Sequence, residues 1–170
     1  MTGAEAGEGA GIVIRAAVAA DAGRLWALLR DLAVEDGAGA RFRATEALVA
    51  AHGFGPAPRF QAALAENAAG RALGFASWFP VYSSFRARDY LLLDNLYVVP
   101  AARGGAVARR LIAHVAGHAT ALGADRLELH VQADNDRARR FYARMGFEAT
   151  GGMLQMIDGM ALDRLAAEAG

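Results

Sequence analysis

Chemistry in this chain concentrates in the stretch Arg103-Gly104-Gly105-Ala106-Val107-Ala108, which continues into Arg109 and Arg110. A helix start presents unpaired backbone N–H groups and a partial positive charge, so it suits a phosphate. Glycines allow close backbone approach and positive φ. The three arginines add charge, although Arg109 and Arg110 are adjacent on a helix and cannot face the same way. The pattern predicts a ligand with a pyrophosphate. His114 and His118 stand four apart, a spacing open to a metal pair. No third ligand accompanies them, so surface histidines are the simpler account and no metal is expected. There is no cysteine, which excludes thiolate nucleophiles and disulfides. All eighteen basic residues are arginine, so no lysine is available for a Schiff base or as a phosphate-binding lysine.

The elements around this stretch follow from periodicity. Ile12 to Ala16 alternates as a first strand. Leu25, Leu28, Leu29 and Leu32 recur at helical spacing after Asp21, predicting a helix over about 22–35 with Asp21 as its N-cap. Glu35 and Asp36 close it, at an end where the helix dipole disfavours negative charge. Thr45 caps a short helix from Glu46 to Ala51. Arg59 to Glu66, Arg71 to Pro80 and Asp89 to Val99 read as strands, the last central because its run at Tyr90 to Leu93 is apolar throughout. Val81 to Arg88, with Tyr82, Ser83 and Phe85, reads as a loop. Val107, Leu111, Val115, Ala119 and Leu122 mark one helical face. Leu127, Leu129 and Val131 alternate as a strand. Asn135 or Asp134 caps a helix carrying Ala138, Phe141, Tyr142 and Met145. Short strands at Phe147 to Ala149 and Met153 to Ile157, then a helix from Ala161 to Ala167, complete the chain. This order predicts an α/β fold with a mixed sheet and helices on both faces. The turn at Gly104 follows the C-terminal end of the long strand, where α/β folds bind ligands.

At 170 residues and 55% apolar composition, one domain over 12–170 is expected, with Met1 to Gly11 a disordered leader. Formal net charge is zero, which points away from a nucleic-acid partner. No signal peptide and no run of 18 apolar residues is present, so no membrane association is expected and the location is expected to be cytoplasmic.

Three stretches together resemble the GNAT acetyltransferase superfamily: Arg103 to Ala108, the preceding Leu93-Asp94-Asn95-Leu96-Tyr97-Val98, and Asn135-x-x-Ala138-x-x-Phe141-Tyr142-x-x-x-Gly146-Phe147. The likeness runs from about Ile12 to Leu165. Within the superfamily the chain looks most like the diamine (spermidine/spermine) and thialysine acetyltransferase branch, through Leu32 to Asp36, His52 to Gly55, Gly74 to Phe85 and Ile157-Asp158. The resemblance implies a GNAT fold with a mostly antiparallel sheet, acetyl-CoA as donor, a small-molecule primary amine as acceptor, and a homodimer. Two departures stand out. Ala106 occupies a position where the family prefers glycine, so a narrowed approach to the pyrophosphate and weaker acyl-CoA binding are expected. Asp94-Asn95 replaces the Glu-Asp usual in the diamine branch, which argues against polyamine specificity.

The resemblance also implies roles. Tyr142 would protonate the departing thiolate; the alternative is a core aromatic. Asp94 would be the base, acting through water, or a structural hydrogen-bond acceptor. Leu96, Tyr97 and Val98 would offer backbone groups to the acetyl and pantetheine arm. Asn135 would bond the same arm, cap its helix, or both. The loop residues Arg103, Gly104, Gly105, Ala106, Val107, Ala108 and Arg109 would hold the pyrophosphate. Glu35, Asp36 and Tyr82 would line the amine pocket, or else be an ordinary solvated helix end and loop packing. Two other functional readings remain: a non-catalytic acyl-CoA-binding module, and an acetyltransferase acting on protein lysine or N-terminal amines.

Overall fold

A five-stranded sheet carries the first part of the molecule. The computed structural model describes residues 11–152 and 154–168, which divide between His130 and Val131 into two compact units. In the first unit the elements are β1 (Val13–Ala16), α1 (Ala22–Glu35), α2 (Glu46–Phe54), β2 (Gln61–Glu66), β3 (Ala72–Ser83), β4 (Arg88–Val98), α3 (Val107–Ala121) and β5 (Leu127–Leu129). The strands lie in sequence order. Three pairings are antiparallel and β4–β5 is parallel, the arrangement expected when a helix joins the last two strands.

Alternation assigns the two faces. Ala62, Leu64, Phe75 and Tyr97 meet Leu25 and Leu28 of α1 and Val49 of α2 in one buried cluster. Phe75 is fully buried, a contribution of about 2–3 kcal/mol. α3 packs against β1 to β4 through Val107, Leu111, Ile112, Val115 and Ala119. Leu122, expected on that face, is the C-cap and is exposed.

Asp21 is the N-cap residue of α1, as expected, but its side chain makes no capping bond. Its carboxylate accepts instead from Arg15 Nη1 at 2.6 Å and Nη2 at 2.8 Å, and from the Val18 N–H at 2.9 Å. Arg15 also bridges to Glu66 at 2.7 Å, and Arg24 joins the same glutamate. The bond from Arg15 holds the Asp21 carboxyl down to about 2 and lowers Glu66 as well. A depressed carboxylate stabilises the fold fully above its unfolded pKa near 4 and loses that contribution as pH falls toward 2. Arg15→Met is expected to cost about 2–3 kcal/mol, below the ~3–5 of a fully buried pair because the Arg15 side chain is 34% exposed. Denaturant midpoints at neutral and acid pH measure this. An unchanged midpoint at neutral pH contradicts it.

β3 runs three residues beyond its expected end, because Val81, Tyr82 and Ser83 pair with Tyr90, Asp89 and Arg88. Pro80 fits inside it because β2 reaches only Trp78, leaving an edge position that tolerates a missing N–H.

In the second unit, α4 (Asp136–Arg144) and α5 (Gly159–Ala167) form as expected. The strands expected at 147–149 and 153–157 are absent among the described residues, and Met153 lies outside them. A strand needs a partner's ladder, and no partner strand forms in this unit among the described residues. No helix among them is long and apolar enough to cross a membrane.

Candidate active site

The site begins with an irregularity in β4. Ser77 pairs with Asn95, but Trp78 pairs with Leu93. Asp94 is therefore an extra residue, a β-bulge. Neighbours on a regular strand point to opposite faces. Here the bulge turns Asp94 and Asn95 into the same cleft. The Asn95 Nδ2 donates to the Asp94 carboxylate at 2.7 Å and to the Ser77 Oγ at 3.0 Å. Ser77 is buried, so this chain of bonds fixes the carboxylate against the sheet. Asp94 is exposed at the mouth of the cleft, yet partial desolvation by the surrounding protein pushes its carboxyl above the usual range, outweighing the opposite pull of the Asn95 bond and the His130 charge.

The bulge also marks where β4 and β5 part. Their pairing covers Leu91 to Leu93 and Leu127 to Leu129 only. Past Asp94, the backbone of Leu96, Tyr97 and Val98 has no strand on that side among the described residues. Such an edge accepts an extended ligand arm by strand-like hydrogen bonds. The Tyr97 side chain is in the core, so only its backbone is available.

The cleft has a volume of about 420 Å³. It lies between α1, α2 and the face of β3 and β4 that carries Ser77. Leu48, Phe60 and Phe79 wall it, Asp94 sits in it, and Arg43, His52 and Arg59 also line it. Glu35, Asp36 and Tyr82 do not line it. Glu35 is instead ion-paired with Arg103 at 2.5 Å, which answers the unfavourable charge at the end of α1. Tyr82 stands exposed near the β3 end.

The glycine-rich turn fits an anion in its backbone. Among the described residues, no acceptor takes the N–H groups of Gly104, Gly105, Ala106, Val107, Ala108 and Arg109. Gly104 has φ +85°, a conformation that requires glycine. Ala106 is the N-cap of α3, with φ −81° and ψ −6°. That is ordinary right-handed backbone, so alanine is unstrained there and the demanding position is Gly104. The arginines differ sharply. Arg103 is tied down by Glu35, by the Val98 carbonyl at 2.8 Å and over the Tyr97 ring. It braces the turn with its side chain. Arg110 Nη1 donates to the Ile12 carbonyl at 2.7 Å. Arg109 is exposed on the first turn of the helix.

In the second unit, Asn135 Oδ1 accepts from the Ala138 N–H at 3.0 Å and caps α4. The Tyr142 ring packs edge-on against Phe141 and Phe147, and burial raises its hydroxyl above the ordinary tyrosine range. It is thus a protonated donor at neutral pH. His114 and His118 pack against Trp78. No group of three metal-binding side chains occurs among the described residues.

The Acetyltransferase (GNAT) family model matches residues 24–147. The chain belongs to the GNAT family. It is an acetyl-CoA-dependent N-acetyltransferase. This GNAT enzyme is 29% identical over 168 residues to the thialysine N-epsilon-acetyltransferase of Bos taurus, across 92% of this chain and 98% of that protein. The Mus musculus protein of the same name is 27% identical, with 90% and 96% covered. An integron cassette protein from the mobile metagenome of V. cholerae superposes with TM-score 0.77 at 20% identity, over 92% of this chain and 98% of that one. An aminoglycoside acetyltransferase from an uncultured soil metagenomic sample, in complex with sisomicin, gives TM-score 0.76 at 11% identity, over 89% and 97%. The structural likenesses establish the GNAT fold.

Ser77, Asn95, Arg43 and Arg59 were not among the site residues expected from sequence. Ser77 had a weak signal, as a polar residue in an otherwise apolar strand. The two arginines had none, since they flank α2 on irregular segments.

Proposed function

We propose that this GNAT enzyme moves the acetyl group of acetyl-CoA to the primary amine of a small molecule, polyamine-like or amino-acid-like, and acts as a homodimer. The observation that carries the reading is the bulge, which places one held carboxylate in a cleft where β4 leaves β5. The N–H groups of 104–109 would hold the pyrophosphate, with Arg109 beside them, and the free edge at Leu96 to Val98 would take the pantetheine arm. Asn135, its Oδ1 used in the cap, would offer its Nδ2 to that arm. An incoming ammonium loses a proton to Asp94 through water, and the neutral amine attacks the thioester carbon. A backbone N–H of β4 stabilises the oxyanion. Collapse breaks the carbon–sulfur bond, the Tyr142 hydroxyl protonates the thiolate, and the proton shed by the acylated nitrogen passes through solvent to restore that hydroxyl. The homodimer is supported by the exposed apolar side chains of α5, Met160, Leu162 and Leu165.

The turn is tested by titrating acetyl-CoA calorimetrically. Gly104→Val places a β-branched residue at positive φ, at a cost of about 1–3 kcal/mol, and points its side chain into the open space above the turn. Affinity is expected to fall about tenfold or more. Ala106→Gly should leave it nearly unchanged. Equal affinity of Gly104→Val and wild type overturns the assignment.

A further inference from the structure

The charges around the cleft do not match those of a polycation site. Among the described residues its lining contains one carboxylate, Asp94. The neighbouring position is the neutral Asn95, and Glu35 is bound to Arg103 outside the cleft. Two arginines line it. The Arg59 side chain donates to nothing among the described residues, while its backbone N–H is bonded to the His52 carbonyl at 2.7 Å, which fixes it at the end of α2. Arg43 uses Nη1 on the Ala40 carbonyl at 2.8 Å and the Phe42 carbonyl at 3.4 Å. Its Nε and Nη2 have no partner among the described residues and remain for a ligand. Both arginines are exposed, so they form the rim, and the apolar side chains of Leu48, Phe60 and Phe79 complete the wall.

We infer that the acceptor carries a carboxylate apart from its reacting amine, and that Arg43 and Arg59 receive it. This rests on the reading of the cleft as the acceptor site. A guanidinium meets a carboxylate with two parallel donors, which fixes orientation as well as adding attraction. With the carboxylate on the rim and methylenes along the apolar wall, the amine end is left to Asp94. A polyamine would instead bring further positive charges to two permanent cations, a like-charge juxtaposition that selects against it.

The experiment compares ω-aminoalkanoates with n-alkylamines and α,ω-diamines of equal chain length, in wild type and in Arg43→Gln/Arg59→Gln. In wild type, kcat/KM for the aminoalkanoate is expected to exceed that of its alkylamine and diamine about tenfold or more, through KM. In the double variant that ratio should collapse toward one. Thermal midpoints confirm that the variant is folded, and the wild-type ratio stands by itself if it is not. A diamine used as well as or better than the aminoalkanoate overturns the inference, as does a ratio that survives in a folded double variant. If acetyl-CoA binds but no amine in the series is acetylated, the acceptor reading itself fails. The carboxylate subsite is then read by calorimetry with CoA present. Tighter binding of the aminoalkanoate than of the alkylamine supports the subsite, and equal or absent binding overturns it.

Discussion

Asp94→Asn is expected to lower kcat/KM for the amine about a hundredfold near neutral pH, within the usual range for loss of a positioned base, and to leave acetyl-CoA affinity unchanged. The substitution is nearly isosteric. Its amide oxygen can still accept from the Asn95 Nδ2 that now donates to the carboxylate, so the bulge and the bond to Ser77 persist. What disappears is the group that takes the proton. The sign of the pH dependence follows from partial desolvation in the cleft, which raises the Asp94 pKa. Below that pKa the carboxyl is protonated and cannot accept, so wild-type kcat/KM should fall as pH drops through it. The variant should lose this limb and keep only the dependence set by the amine. A profile identical to wild type in shape and height would show Asp94 to be structural.

Tyr142→Phe is the second large effect. A loss in kcat of about tenfold or more is expected, from removal of one general acid. The ring contacts with Phe141 and Phe147 need no hydroxyl, so α4 should keep its packing and the thermal midpoint should hold. Because the lost interaction is with the departing sulfur, KM for the amine and affinity for acetyl-CoA should change little. Wild-type turnover from the phenylalanine variant would assign Tyr142 to packing alone.

Much of the scaffold was legible locally. The 3.6 spacing of Leu25, Leu28 and Leu32 placed α1 over 22–35, and the glycine-rich turn before Val107 located the start of α3. Both signals are written within one element. The bulge was not legible, because an extra residue in β4 exists only relative to the register of β3. The bond from Asn95 to Ser77 spans 18 positions and that from Arg103 to Glu35 spans 68, so neither has a spacing signature. The second bond changed the assignments most. It engages the Arg103 side chain and holds Glu35 in an ion pair outside the cleft. The strands expected at 147–149 and 153–157, absent among the described residues, share this cause, since alternation in sequence does not supply a partner strand.

The central claim is that the bulge and the glycine-rich turn serve acetyl transfer to a small amine. Release of CoA thiol from acetyl-CoA, followed across a panel of primary amines with the product identified by mass, tests it most directly. Amine-dependent release with the acetyl group on the acceptor nitrogen is the predicted result. Tight acetyl-CoA binding with no acetylated amine in the panel would contradict it.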